Sequence, residues 1–129
     1  DWAKYIKINH NKDKENDLFY NYLGLKDSSR YILANNNYGY FQNRDGVTSN
    51  IQDKNLPIVW MQILDNYTMF DWTKVIENAT EIHTVDTSVF YLMESLNLKA
   101  KVLNMYPRHP DHVEKLLQGL TNKPWEFIK

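Results

Sequence analysis

Residues 81 to 96 read Glu81-Ile-His-Thr-Val-Asp86-Thr87-Ser88-Val-Phe-Tyr-Leu-Met-Glu-Ser-Leu96, and no other stretch limits the fold so tightly. A short buried strand over 81–85 runs into Asp-Thr-Ser. A helix follows, in which Val89, Leu92, Met93 and Leu96 fall on one face at helical spacing. Thr87 or Ser88 serves as its N-cap. The first amides of such a helix have no internal partner, and the positive end of its dipole faces the same loop. The junction is therefore an anion site with phosphate as its natural guest. The alternative is a capped core helix with nothing bound, which Ser and Thr serve equally well.

Around this junction, helices and strands alternate. Lys14 to Leu23 reads as a helix whose Leu18, Phe19, Tyr22 and Leu23 share a face, ended by Gly24 in the left-handed conformation. Tyr31 to Ala34 is a short apolar strand, and 35–54 is a long polar loop holding a hairpin or a short helix. Leu56 to Ile63 is a second buried strand entered through Pro57. Asp71 caps a helix running to about Asn78. Ala100 to Met105 is a fourth strand closed by Pro107, and Val113, Leu116, Leu117 and Leu120 mark a last amphipathic helix from Pro110-Asp111 to Gly119. This alternation implies parallel pairing, with the Tyr31 strand between the 58–63 and 81–85 strands. Ligands of such sheets bind beyond the carboxyl ends of the strands, here the loops 35–39, 64–70, 86–88 and 106–109.

The turn Asp86-Thr87-Ser88-Val89-Phe90-Tyr91 resembles the strand-to-helix turn in the C-terminal half of GT-B glycosyltransferases, where heptosyltransferases have Asp-Thr-Gly/Ser followed shortly by His. Met69-Phe70-Asp71 and Val75-Ile-Glu-Asn-Ala-Thr-Glu-Ile-His83 are similar to a segment of bacterial and marine glycosyltransferase-like proteins, whose N-terminal pattern is echoed in Tyr5-Ile6-Lys7-Ile8 and Glu15 to Leu23. The similarity spans roughly residues 1 to 107, and its specific part is 75–96. It implies a three-layer Rossmann-like α/β domain with a short parallel sheet of about four strands. It also implies binding of a nucleotide-diphosphate sugar with no metal and no cofactor, because helix amides and basic side chains stabilise the departing diphosphate. The catalytic base of such enzymes comes from the other, acceptor-binding domain, so no catalytic residue is assigned here. Tyr91 stands where the heptosyltransferase pattern has His. The loop Asn35-Asn36-Asn37-Tyr38-Gly39 stands where the similar proteins carry His, Asp and an Arg-Gly pair.

The implied phosphate-binding residues are Asp86, Thr87, Ser88, Asn36 and Arg108. Asp86 would repel a phosphate, so its role is to hold the turn or to accept from a sugar hydroxyl. Arg108 directly follows the fourth strand and offers a bidentate fork for a diphosphate, with Arg44 as the alternative cation and pairing with Asp111 as the structural alternative. Tyr106 either stacks on a nucleobase or packs an edge. His83 sits mid-strand on the face opposite Ile82, as a hydrogen-bonded core or interface histidine. His109 and His112 around Asp111 form only a weak metal motif, and no metal is expected.

Composition excludes several classes. Lys plus Arg number 15 against 16 Asp plus Glu, which leaves no excess positive charge for nucleic acid. The absence of cysteine removes disulfides, thiol catalysis and Cys-bound zinc, and it suits a cytoplasmic chain. No apolar run approaches the ~20 residues of a membrane span. No Gly-x-Gly-x-x-Gly, P-loop or nucleophile elbow is present. At 129 residues the chain is one domain, expected to be a piece of a longer two-domain protein and inactive alone. Two other readings stand beside the glycosyltransferase half. One is a non-catalytic α/β binding module, favoured by Tyr91 and the Asn-rich loop. The other is a homodimer in which Trp2, Trp72 and Trp125 form the interface.

Overall fold

The computed structural model describes residues 10–39, 42–43, 46–107 and 121–128. Its strands are β1 (Ile32–Asn35), β2 (Asn37–Gly39), β3 (Gln42–Asn43), β4 (Ile58–Trp60), β5 (Glu81–Val85), β6 (Val102–Tyr106) and β7 (Glu126–Phe127); its α-helices are α1 (Lys12–Asn16), α2 (Thr73–Asn78) and α3 (Ser88–Ser95). Five strands form one parallel sheet in the order β4-β1-β5-β6-β7, and β2 and β3 make a separate antiparallel pair inside the long loop. The chain is thus α/β with a Rossmann-like layout. As the alternation requires, β1 lies between β4 and β5, and the sheet has one strand more than expected. The extra strand, β7, is two residues long and pairs Asn104 with Glu126 and Met105 with Phe127.

Every residue of β1 and β5 is buried, as befits inner strands covered on both faces. Register sorts their side chains. Leu33 pairs with Ile82, and Ile82 with Leu103. These three join Leu18, Phe19, Trp72, Val75, Ile76, Phe90 and Met93 in the main core, so the described helices pack on this face. Each such side chain taken from water contributes about 1.5–3 kcal/mol. On the opposite face Ala34, Val85 and Tyr106 pack with Val47, and among the described residues the 46–53 segment provides the cover.

Several local expectations are corrected. The strand expected over 56–63 is only Ile58–Trp60, at the sheet edge with alternating exposure, because the chain turns away after Met61 donates its amide to the Ala34 carbonyl at 2.9 Å. The helix expected over 14–23 begins at Lys12, where Asn11 Oδ1 accepts from the Lys14 amide, and it widens to a π-turn over Asp17–Tyr22. Within it, the Leu23 amide bonds the Leu18 carbonyl. Leu18 and Phe19 enter the core while Tyr22 stays 53% exposed. Gly24 does end this element with φ +67°. Asp71 caps from inside the first turn: its Oδ2 accepts from the Thr68 amide at 2.8 Å, and a 3-10 turn over Met69–Trp72 precedes α2. Trp72 and Trp125 are buried in the main core and so are not interface residues. Trp2, the N-terminal pattern at 5–8 and the amphipathic helix expected at 110–119 lie outside the described residues.

Candidate functional site

At the carboxyl ends of β1, β4 and β5 the structure holds a cavity of about 260 Å³. Asn35 closes β1 and forms its floor. Residues 61–64, 67–69 and 72, which follow β4, form one wall, and Thr87, Ser88 and Val89, which follow β5, form the other. β1 connects outward to β4, whereas β5 connects the other way to β6, so the cavity sits where the strand order reverses.

The Asn35 side chain ties the wall to the floor. Its Nδ2 lies 3.2 Å from Thr84 Oγ1 and 3.4 Å from Thr87 Oγ1. Thr87 takes the N-cap position of α3 in extended backbone, but its hydroxyl accepts from Asn35 instead of capping a helix amide. The turn is closed through backbone, with the Thr87 amide on the Val85 carbonyl at 3.1 Å and the Phe90 amide on the Thr87 carbonyl at 2.9 Å. Ser88 is exposed at the mouth. Across the cavity Tyr67 presents its ring, with its hydroxyl donating to Asp17 and its phenol pushed up by that bond and by burial. The bond from Asn21, and after it the one from Tyr67, hold the Asp17 carboxyl below its ordinary range.

Of the residues singled out in the sequence, Thr87 and Ser88 line the cavity. Asp86 is half-buried in the same turn outside the lining. Its charge, after burial, helps push the Tyr91 phenol up. Asn36 is half-buried beside the site, and its neighbour Asn35 is the one that lines it. Arg108, Arg44, His109, Asp111 and His112 lie outside the described residues. Three of the four expected loops contribute, at Asn35, 64–69 and 87–88. Tyr106 instead packs in the second, smaller core on the opposite face. Met61, Gln62 and Ile63, assigned to a strand from sequence, belong to the wall. The signal for them is Gln62, a polar residue interrupting an apolar run.

On the far face lies a second polar group. His83 Nε2 is 2.8 Å from Glu81 Oε1, and Glu81 also accepts the Gln52 amide at 3.0 Å and the Asp53 amide at 2.7 Å. With Nε2 as donor, His83 Nδ1 is the acceptor facing Asn104 Nδ2 at 3.4 Å and the Tyr106 hydroxyl at 3.5 Å. His83 is therefore the hydrogen-bonded core histidine expected from alternation. Among the described residues no group of three His, Cys, Asp or Glu is placed to hold a metal ion, and no helix is long and apolar enough to cross a membrane.

Fold and cavity together define an α/β domain with a crevice at the switch point of its sheet. Comparison of the chain with protein-family models, with curated proteins and with solved structures finds no match.

Proposed function

We propose that the chain is the nucleotide-sugar-binding part of a GT-B-type glycosyltransferase, taking a nucleoside-diphosphate sugar at the crevice between β1 and β5. The observation that carries this reading is position: Thr87 and Ser88, central to the sequence resemblance, form a wall of the cavity at the strand-order reversal. In this reading the first amides of α3 and the hydroxyls of Thr87 and Ser88 meet the diphosphate, and Asn35 fixes the Thr87 rotamer through its 3.4 Å bond. Asp86 holds the turn, and Arg108 supplies the full cation that a diphosphate at the mouth of the cavity needs. The acceptor and the catalytic base belong to a second domain.

Titration of the chain with uridine, guanosine and adenosine diphosphates, followed by thermal shift and amide NMR, tests this. Binding near millimolar, roughly 4 kcal/mol, is expected, with the largest perturbations at Thr87 and Ser88. Arg108→Ala should abolish it and Arg108→Lys should restore it only partly, since the bidentate fork is lost. Unperturbed Thr87 and Ser88 amides at saturating diphosphate would refute the reading. A second reading, a binding module without transfer chemistry, is favoured by one observation: every described residue lining the cavity is uncharged at neutral pH. Binding of nucleotide sugars by the full-length protein without turnover of the donor would select it.

A further inference from the structure

The lining of the cavity specifies which part of a ligand belongs inside it. At about 260 Å³ it is smaller than the ~300–1,000 Å³ of sites that enclose a whole drug-sized molecule, so it takes one ring-sized piece. Most of the wall is apolar: Met61, Ile63, Leu64, Met69, Trp72 and Val89. Two thioethers and the Tyr67 ring suit contact with the faces of a flat ring, with the buried Trp72 behind them. The polar lining is neutral: Asn35 and Thr87 are bonded to each other, and Gln62 and Thr68 can donate and accept, which suits the edge of such a ring. The Tyr67 hydroxyl is already committed to Asp17, so this residue presents its ring and not an acid or base. A phosphate drawn into this lining would exchange water for neutral surroundings, which is costly.

We infer that the cavity takes an uncharged ring with apolar faces and a hydrogen-bonding edge, and that any phosphate attached to it stays at the mouth by Ser88. The inference rests on the proposed use of this cavity as the binding site. Such a ring has two sources, a nucleobase or a sugar, and the probes separate them.

The full chain is titrated with uridine, adenosine and guanosine, with methyl glycosides of common hexoses, and with inorganic pyrophosphate, at about 0.05 and 0.5 M salt. One neutral class should bind, with an affinity that salt changes less than about twofold, since no ion pair is formed. Val89→Trp, which fills the cavity, should weaken that binding about tenfold or more. Gln62→Trp, at an exposed lining position, does the same without touching the core and covers the case in which the first variant fails to fold. Binding of pyrophosphate with all neutral probes silent overturns this inference and leaves the nucleotide-sugar reading standing. Neutral binding that a diphosphate does not strengthen supports it and removes that reading instead. Neutral binding undiminished in both filled variants overturns the assignment to the cavity, and silence of every probe overturns both proposals.

Discussion

Replacing Glu81 by Gln would release the segment that covers the far face of the sheet. The carboxylate is only 2% exposed and accepts from the Gln52 amide, the Asp53 amide and His83 Nε2. Glutamine keeps the shape but turns one oxygen into an NH₂ group, which meets either the Asp53 amide or the Gln52 amide and His83, donor against donor. At least one part-buried donor, the Gln52 or Asp53 amide, loses its acceptor at about 1–2 kcal/mol, and the remaining bonds lose their charge assistance, so the expected loss is about 1–3 kcal/mol. The pH dependence follows from the same contacts. Burial alone raises the Glu81 carboxyl, but the donations from the Gln52 amide, His83 and the Asp53 amide outweigh it and hold the group below its ordinary range. A carboxyl depressed in the folded state contributes stability that is full above its unfolded pKa, about 4.3, and is lost as pH falls through the lower folded value. Wild type should therefore lose stability below about pH 4 more steeply than Glu81→Gln, which lacks the titrating group. Urea unfolding at neutral and acidic pH measures both effects, and amide exchange at Gln52 and Asp53 localises them. A variant with the wild-type midpoint at neutral pH would refute the assignment of this carboxylate as the anchor.

Two further substitutions probe other parts of the frame. Trp125→Phe removes the indole N–H that donates to Glu94 Oε2 at 2.8 Å, leaving a buried carboxylate one donor short; a loss of about 1.5–3 kcal/mol in urea unfolding is expected, with faster exchange in β7. Gly24→Ala meets no atom within 4 Å of the added Cβ, so its cost is that of the φ +67° backbone alone, about 1–2 kcal/mol, and Gly24→Asn should cost less.

How much of the fold was legible varies with how many neighbours specify each element. β5 is bounded in the sequence as it is in the structure, although Glu81, His83 and Thr84 interrupt its apolar residues, because the β-branched Ile82, Thr84 and Val85 favour a strand and Asp86 ends it. Among the described residues, β4 at the edge of the sheet has one neighbour. Its apolar run extends past the point where pairing stops, since Met61 and Leu64 are apolar for the cavity and core rather than for the sheet. The π-turn over Asp17–Tyr22 was hidden for a different reason: apolar residues at 18, 19, 22 and 23 satisfy a regular helix as well as a widened one. β7 is too short to carry any period, and what holds it is remote. Glu94 accepts the Asn122 amide at 2.6 Å and the Trp125 indole, a bond across 31 positions that no local pattern records.

The candidate site shows the same asymmetry between its two walls. Thr87 and Ser88 were legible as the residues where a strand gives way to a helix, although the Thr87 hydroxyl goes to Asn35 rather than to a helix amide. Asn35 ends an apolar strand, and only the parallel register that sets it opposite Thr84 on β5 brings its amide to the hydroxyls of Thr84 and Thr87. The wall after β4 depends on a chain reversal that its own residues do not announce, and there the one polar interruption, Gln62, is the mark of a cavity rather than of a solvent-facing strand. Apolar faces met by such isolated neutral polar groups are what a ring-sized ligand requires. The residues hardest to assign from sequence are thus those of the wall after β4, whose place depends on the chain reversal, while those easiest to assign form the wall after β5.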